Sequence, residues 1–390
     1  MGCKMNRREM LAGAIGAAGL LGAGLAPRRS AAAMADRSAD APTAPVAILR
    51  CESFDARLLR ERMDKAFELI GGIGPLVRNK TVTIKVNLTG MEWKPFAGLP
   101  PYETYQTHPH TVAALCAILN DAGARRIVIV ENLYWEKPFE QSVGEIGWDV
   151  AAIRSAGGQK VLFEDIRFEG PFKGYSRFKV PWGGYIFPAF DFNRRFEETD
   201  VLMSLSKLKQ HYCAGVTMTA KNMFGSTPCS IYGNDSPGKG LQHRTQNFHN
   251  GKKKVAEGHP AELDHGMPPN QFNRVSRIVA DIYGSRPCDL TVIDGIRSMS
   301  GGEGFWNQGV AMQEPKLLLV GTNGVCADAV GTAVMGFDPR AVSGKAPFRG
   351  DNHLELLAKG GIGTNDLKRI EVRGLSIQEA LFPYPDAKNA

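Results

Sequence analysis

The sequence predicts an α/β fold: a mainly parallel sheet covered by helices on both faces, with a β-hairpin excursion and a long polar loop. Three observations carry this. Short β-branched runs alternate with longer segments of 3.6-residue periodicity, and a repeated strand, helix, strand order requires crossovers that leave the strands parallel. The composition, 43% hydrophobic and 22% charged over 390 residues, is that of a globular chain able to bury one large domain or two, which excludes collagen-like and disordered classes. No apolar run reaches the roughly 18 residues needed to span a bilayer, since the longest, 11–25, is broken by five glycines.

Taken in order, residues 46–49 give the first strand and 55–70 the first helix. Residues 82–87, 109–122 and 127–131 repeat the pattern as strand, helix and strand. Further strands fall at 161–163, 201–205, 290–294, 317–320 and 370–372, and further helices at 214–224, 272–283, 327–335 and 354–359. Gly71-Gly72-Ile73-Gly74 and Gly360-Gly361-Ile362-Gly363 each follow a helix and read as C-terminal caps. Between 170 and 196 the composition shifts to Gly, Pro, Arg and aromatics, including Trp182 and Tyr185, as in a hairpin excursion. The polar, Gly/Pro-rich stretch 225–271 holds four histidines and the run Lys252-Lys253-Lys254; at that length it is a lid or disordered, and the lysine run is a solvated surface.

At the N-terminus Asn6-Arg7-Arg8-Glu9-Met10-Leu11, a weak Gly/Ala core, and Pro27-Arg28-Arg29 before Ala31 resemble a twin-arginine (Tat) signal peptide, cleaved after Ala33 or Ala35. The organisation is then a leader over 1–35, a linker over 36–44, a single α/β domain over 45–375 with room for two lobes, and a C-terminal tail over 376–390. Such a protein is expected in the periplasm or another extracytoplasmic compartment, with the Tat translocase as its partner during export and no stable membrane insertion. Losing a leader that carries five basic residues against one acidic lowers the net charge from +7 to +3, too little for a nucleic-acid partner. Six cysteines remain, with no C-x-x-C pair, and are expected as mostly buried free thiols.

In an open parallel sheet ligands bind beyond the carboxyl ends of the strands, so polar residues that end apolar runs are the site candidates. Alternation across 82–87 sets Val82, Ile84 and Val86 on one face and Thr83, Lys85 and Asn87 on the other, and a lysine within a buried strand requires a partner. Residues 127–130 end in Glu131 and Asn132, and residues 290–293 end in Asp294. Residues 317–320 lead to Thr322 and Asn323, one of which is expected as a plain N-cap. Residues 201–205 run into Ser206-Lys207-Leu208-Lys209-Gln210-His211, followed by a helix bearing Lys221 and Asn222; lysines with a histidine at one strand end suit a carboxylate or phosphate. Lys209 reads as a solvated surface residue, whereas Lys207 and Lys221 adjoin apolar sequence. The spacing of His108 and His110 is compatible with a metal, but capping of the helix at 109 is the plainer role. Phosphate-loop, nucleophile-elbow and zinc-helix motifs are absent, and the glycine-rich stretch 300–304 reads as a mobile turn near Asp294.

The ordered set Lys85-Val86-Asn87, Thr107-His108-Pro109, Asn120-Asp121-Ala122-Gly123-Ala124, Lys207-Leu208-Lys209-Gln210-His211, Thr219-Ala220-Lys221-Asn222-Met223-Phe224-Gly225, the segment 289–295, Ala327-Asp328-Ala329-Val330 and Met335-Gly336-Phe337-Asp338-Pro339 resembles the family catalogued as domain of unknown function 362. The likeness spans roughly 82–374, with the Lys-Asn-x-Phe-Gly, Asp-Gly and Gly-Phe-Asp-Pro segments carrying most weight. Pro237-Gly238-Lys239 with His243 is similar to the family's Pro-Gly-x-Lys turn and downstream histidine, which implies a ligand-binding role for Lys239 and His243. Many relatives carry an attached ferredoxin module; this chain departs from them, and no iron-sulfur cluster is expected within it. The resemblance implies fold and site positions rather than a reaction.

These readings converge on an exported enzyme acting on a small anionic substrate, a carboxylate or phosphate, with metal assistance one option. His211, Lys221, Glu131 and Asp294 are the candidate catalytic residues: Lys221 with Lys207 for the anion, His211 as proton donor or acceptor, Glu131 or Asp294 as base or metal ligand. Lys85, Asn87, Lys207, Asn222, Lys239 and His243 are the candidate ligand-binding residues. The competing class is a non-catalytic ligand-binding or accessory protein.

Overall fold

A computed structural model describes residues 35–90, 92–133, 137–233, 245–251, 255–263 and 270–385. Leader residues 1–34, Lys239, His243 and the run 252–254 lie outside the described residues. Strands β1 (Val46–Arg50), β2 (Thr81–Lys85), β3 (Arg126–Glu131) and β4 (Val161–Asp165) are followed by a hairpin of β5 (Tyr175–Lys179) and β6 (Ala189–Asn193). Then come β7 (Val201–Lys207), a ribbon of β8 (Gln210–His211) and β9 (Gly215–Val216), β10 (Leu290–Gly295), a ribbon of β11 (Ser298–Ser300) and β12 (Ala311–Gln313), β13 (Leu317–Gly321) and β14 (Val372–Gly374).

Eight of these form one sheet in the order β14-β1-β13-β10-β7-β2-β3-β4. Neighbours from β10 to β4 are all parallel, as are β1 and β14; β13 alone is antiparallel to both its neighbours. All five residues of β2 and of β13 are buried, as strands covered on both faces must be. On one face Val82, Ile84, Met203 and Leu205 pack with the helices Ala56–Leu69 and Pro109–Asp121; on the other Val128, Val130 and Leu202 pack with Gln271–Ser285. The expected α/β architecture and hairpin excursion are therefore present.

Local chemistry explains the helix starts. Asp55 accepts from Leu58 N–H, and Asn323 accepts from Val325 and Cys326 N–H, each satisfying first-turn donors. His108 also proves to be a cap: its Nδ1 accepts from His110 N–H, with Pro109 beginning the helix, while the ring stacks on Phe54 at 3.8 Å. No helix among the described residues is long and apolar enough to cross a membrane. All six described cysteines are buried free thiols.

The structure corrects three local expectations. The helix expected over 214–224 is broken into β9, the short helix Met218–Asn222 and a 3-10 turn Met223–Ser226, because β8 and β9 fold back through the positive-φ Gly215. Residues 36–44 are not a loose linker: Ala41 is fully buried, and Arg369 donates to the carbonyls of Ser38 and Ala41. Nor do residues 376–385 trail away, since Ser376 and Glu379 form a capping box and Tyr384 is buried with its hydroxyl donating to Leu208 O.

Candidate functional site

Parallel register brings the strand ends together. Lys85 lies opposite Val130 and Ser204, and Asp294 opposite Lys207, so Asn87, Glu131, Lys207 and Asp294 all reach the carboxyl edge of the sheet. There they part. Lys85, Asn87, Glu131, His211, Lys221 and Asn222 line a cavity of about 460 Å³. Lys207 and Asp294 do not line it; they follow Leu205 and Val292 onto the other face, where they pair at 3.2 Å, both fully buried, with Lys207 Nζ 5.2 Å from the centre of the Phe54 ring. The sequence placed them with the anion site, but alternation carries both side chains beneath the helix that begins near Phe54.

Lys85 Nζ lies 2.6 Å from Glu131 Oε1 and donates to Val86 O at 2.8 Å. Glu131 accepts further from Leu88 N–H on Oε2 and Asn132 N–H on Oε1, so three donors hold its carboxylate and it fixes the backbone beyond β2 and β3. Gly225 is what lets Lys85 reach it: a Cβ there would stand 2.8 Å from Lys85 Nζ and 3.4 Å from Glu131 Oε1. Asn222 ties three elements by donating to Lys85 O and Ser204 Oγ and accepting from Asn87 Nδ2. Its helix is held in turn by buried Asp328, whose two oxygens accept from Thr219 and Ala220 N–H, each at 2.8 Å.

His211 lies on the cavity wall with its tautomer set. Nδ1 accepts from Cys213 N–H at 3.1 Å and Ala214 N–H at 3.3 Å, so the ring proton sits on Nε2. Burial first, and then the charge of Lys221, push its pKa well below the ordinary value. The imidazole is consequently a neutral N–H donor, which narrows the donor-or-acceptor role expected of it. Lys221 stands on the same wall, its Nζ 3.9 Å from the centre of the Phe224 ring.

Lys209 is a correction of another kind. It is fully buried rather than solvated, with Nζ donating to the carbonyls of Tyr105 and Glu303, and burial drives its pKa far down. Sequence reasoning also missed Glu303, Trp306 and Phe224 in the cavity lining. Glu303 lies in the stretch taken for a mobile turn, yet its carboxylate accepts from Tyr212 N–H and Trp306 Nε1. A single acidic residue among glycines, three positions before a tryptophan, is the signal that could have found it. Among the described residues no three His, Cys, Asp or Glu side chains are grouped so as to hold a metal ion.

Residues 82–333 match the family model described as Domain of unknown function (DUF362). The chain belongs to the DUF362 family. Every cavity-lining residue falls within that DUF362 match. The chain is also 25% identical over 184 residues to Thylakoid-associated protein sll1697 of Synechocystis sp., covering 47% of this chain and half the length of that relative. A crystal structure of a protein from Thermotoga maritima is similar at a TM-score of 0.33 and 11% identity, over 71% of this chain and 57% of that one.

Proposed function

We propose that this DUF362 domain binds a small anion, a carboxylate or phosphate, in the cavity at the sheet edge, with Lys221 supplying the charge and His211 Nε2–H a neutral donor. The observation that carries the reading is the placement of Lys221 on the cavity wall, its Nζ 3.9 Å from the centre of the Phe224 ring, on the same lining as His211; burial first, and then the charge of Lys221, lower the pKa values of His211 and His353. Lys85 is already neutralised by Glu131, and Lys209 is turned into backbone carbonyls.

Thermal melts of wild type and Lys221→Met, with and without inorganic phosphate or acetate, test this. Lys221 is only half-buried, so the variant should melt close to wild type without added anion and lose the anion-induced rise in Tm. A rise shared equally by both proteins would refute the reading. Turnover of the bound anion is a second reading, favoured by the strongly perturbed His211 at the cavity, since such perturbation concentrates at catalytic sites. A neutral imidazole N–H suits stabilisation of a developing oxyanion better than proton abstraction. Export through the Tat route belongs to the same proposal and is supported by Arg7-Arg8; Arg7→Lys with Arg8→Lys should leave the precursor in the cytoplasm, and normal export of that variant overturns it.

A further inference from the structure

We infer that Trp306 is a preformed stacking platform and that the cavity takes a flat, uncharged aromatic ring system against it. The inference goes beyond the anion reading and uses neither Lys221 nor any charge on the ligand.

Trp306 lines the cavity and is 41% exposed, and no other Phe, Tyr or Trp among the described residues is so exposed. A single exposed apolar residue is ordinary on a protein surface; one fixed from several sides is not. Its Nε1 donates to Glu303 Oε1 at 3.2 Å. The benzo end of its indole fills the space that side chains at two glycines in separate loops would take, since a Cβ at Gly304 would stand 2.2 Å from it and one at Gly90 2.7 Å. Tyr105 and Phe305 pack against the ring at nearly right angles, with centres 5.7 Å and 5.2 Å away. Fully buried Lys209 joins two of these supports, donating to Tyr105 O and Glu303 O. An indole whose position is set before a ligand arrives loses little freedom on binding.

The surroundings of Trp306 suit a ring. Phe305 also lines the cavity, and its plane lies 77° from that of Trp306, so a ring stacked parallel to the indole stands edge-to-face to Phe305, the second geometry that aromatic pairs favour. Of the carboxylates lining the cavity, Glu131 is held by Lys85, Glu92 by Lys94, and Glu303 by the N–H groups of Tyr212 and Trp306. A ring placed here therefore needs no charge of its own. The volume, about 460 Å³, is within the range of small-molecule sites and has room for two fused rings.

The test is calorimetric titration of the purified full chain with 2-naphthol and with its saturated counterpart, decahydro-2-naphthol, both uncharged at neutral pH. The two share a hydroxyl and a fused-ring skeleton and differ in the π system. 2-Naphthol should bind about fivefold more tightly. Trp306→Leu, which keeps an apolar side chain, should erase that preference, and Trp306→Phe should keep most of it. The wild-type comparison needs no variant, so the test holds even where a substitution disturbs the loop. No binding of 2-naphthol, equal affinity for the two alcohols, or a preference that survives Trp306→Leu overturns the inference. Because neither probe is charged, those outcomes leave the anion reading standing, whereas loss of the phosphate effect with 2-naphthol still bound overturns the anion reading and supports the platform.

Discussion

Replacing Lys207 by methionine should destabilise the protein strongly and leave the cavity untouched. Methionine keeps an apolar stem against Phe54, so the loss is electrostatic. Without the ammonium, Asp294 retains among the described residues only Ile296 N–H on Oδ1 at 3.0 Å and the Thr111 hydroxyl on Oδ2 at 3.5 Å, the second at the limit of a hydrogen bond. A fully buried carboxylate stripped of its counter-ion costs about 3–5 kcal/mol. Burial also lowers the pKa of Lys207, with Asp294 only partly restoring it, so desolvation already offsets much of the attraction in the intact pair. It follows that Lys207→Met with Asp294→Leu, which removes both charges, should recover most of the loss. Urea denaturation gives the stability of each variant by linear extrapolation, and the phosphate-induced rise in Tm reports the cavity. A single-variant loss below about 1 kcal/mol, or unchanged stability with loss of anion binding, refutes the assignment of Lys207 to a structural pair.

Three further perturbations follow from the same geometry. Gly225→Ala places a methyl group 2.8 Å from Lys85 Nζ and should force the Lys85 and Glu131 pair apart, costing about 1–3 kcal/mol in urea denaturation and weakening phosphate binding; wild-type behaviour on both counts contradicts the close approach. Asp328→Asn keeps the shape but turns an N–H₂ toward one of the two backbone donors of Thr219 and Ala220, so about 1–3 kcal/mol of stability and part of the anion affinity should be lost although Lys221 is intact. Burial holds the His353 pKa down to about 3, whereas the unfolded chain takes up this proton near 6.5. A depressed folded pKa means that the stability linked to His353 is complete above about 6.5 and is lost as pH falls toward 3. His353→Phe should therefore lose about 3 kcal/mol less than wild type between pH 7 and pH 4, and parallel urea profiles for the two proteins speak against it.

Features encoded within a few residues were legible in advance. Most strand positions and the mainly parallel direction follow from short apolar runs separated by helices, and strand ends are where Lys85, Asn87 and Glu131 were expected; all three line the cavity. Caps at His108 and Asn323 are similarly local, since the side chain and the N–H groups it accepts from are two or three residues apart. Lys207, Lys209 and Lys221 are the contrary case. Three lysines within fifteen positions share similar neighbours, yet one pairs with a carboxylate 87 residues away, one with carbonyls 104 and 94 residues away, and one stands on the cavity wall.

The sequence by itself determined the α/β class, most strands of the sheet and several helix caps, and the edge of the sheet to inspect, because backbone periodicity and capping are short-range. Only the tertiary structure decided which side of that edge holds the cavity, that Glu303 and Trp306 close over it, and that 36–44 and 376–385 are packed rather than loose. The physical reason is that burial and charge compensation depend on groups brought together across the chain: a lysine's role is set by the solvent it has lost and the partner it has found, and neither is written in its neighbours.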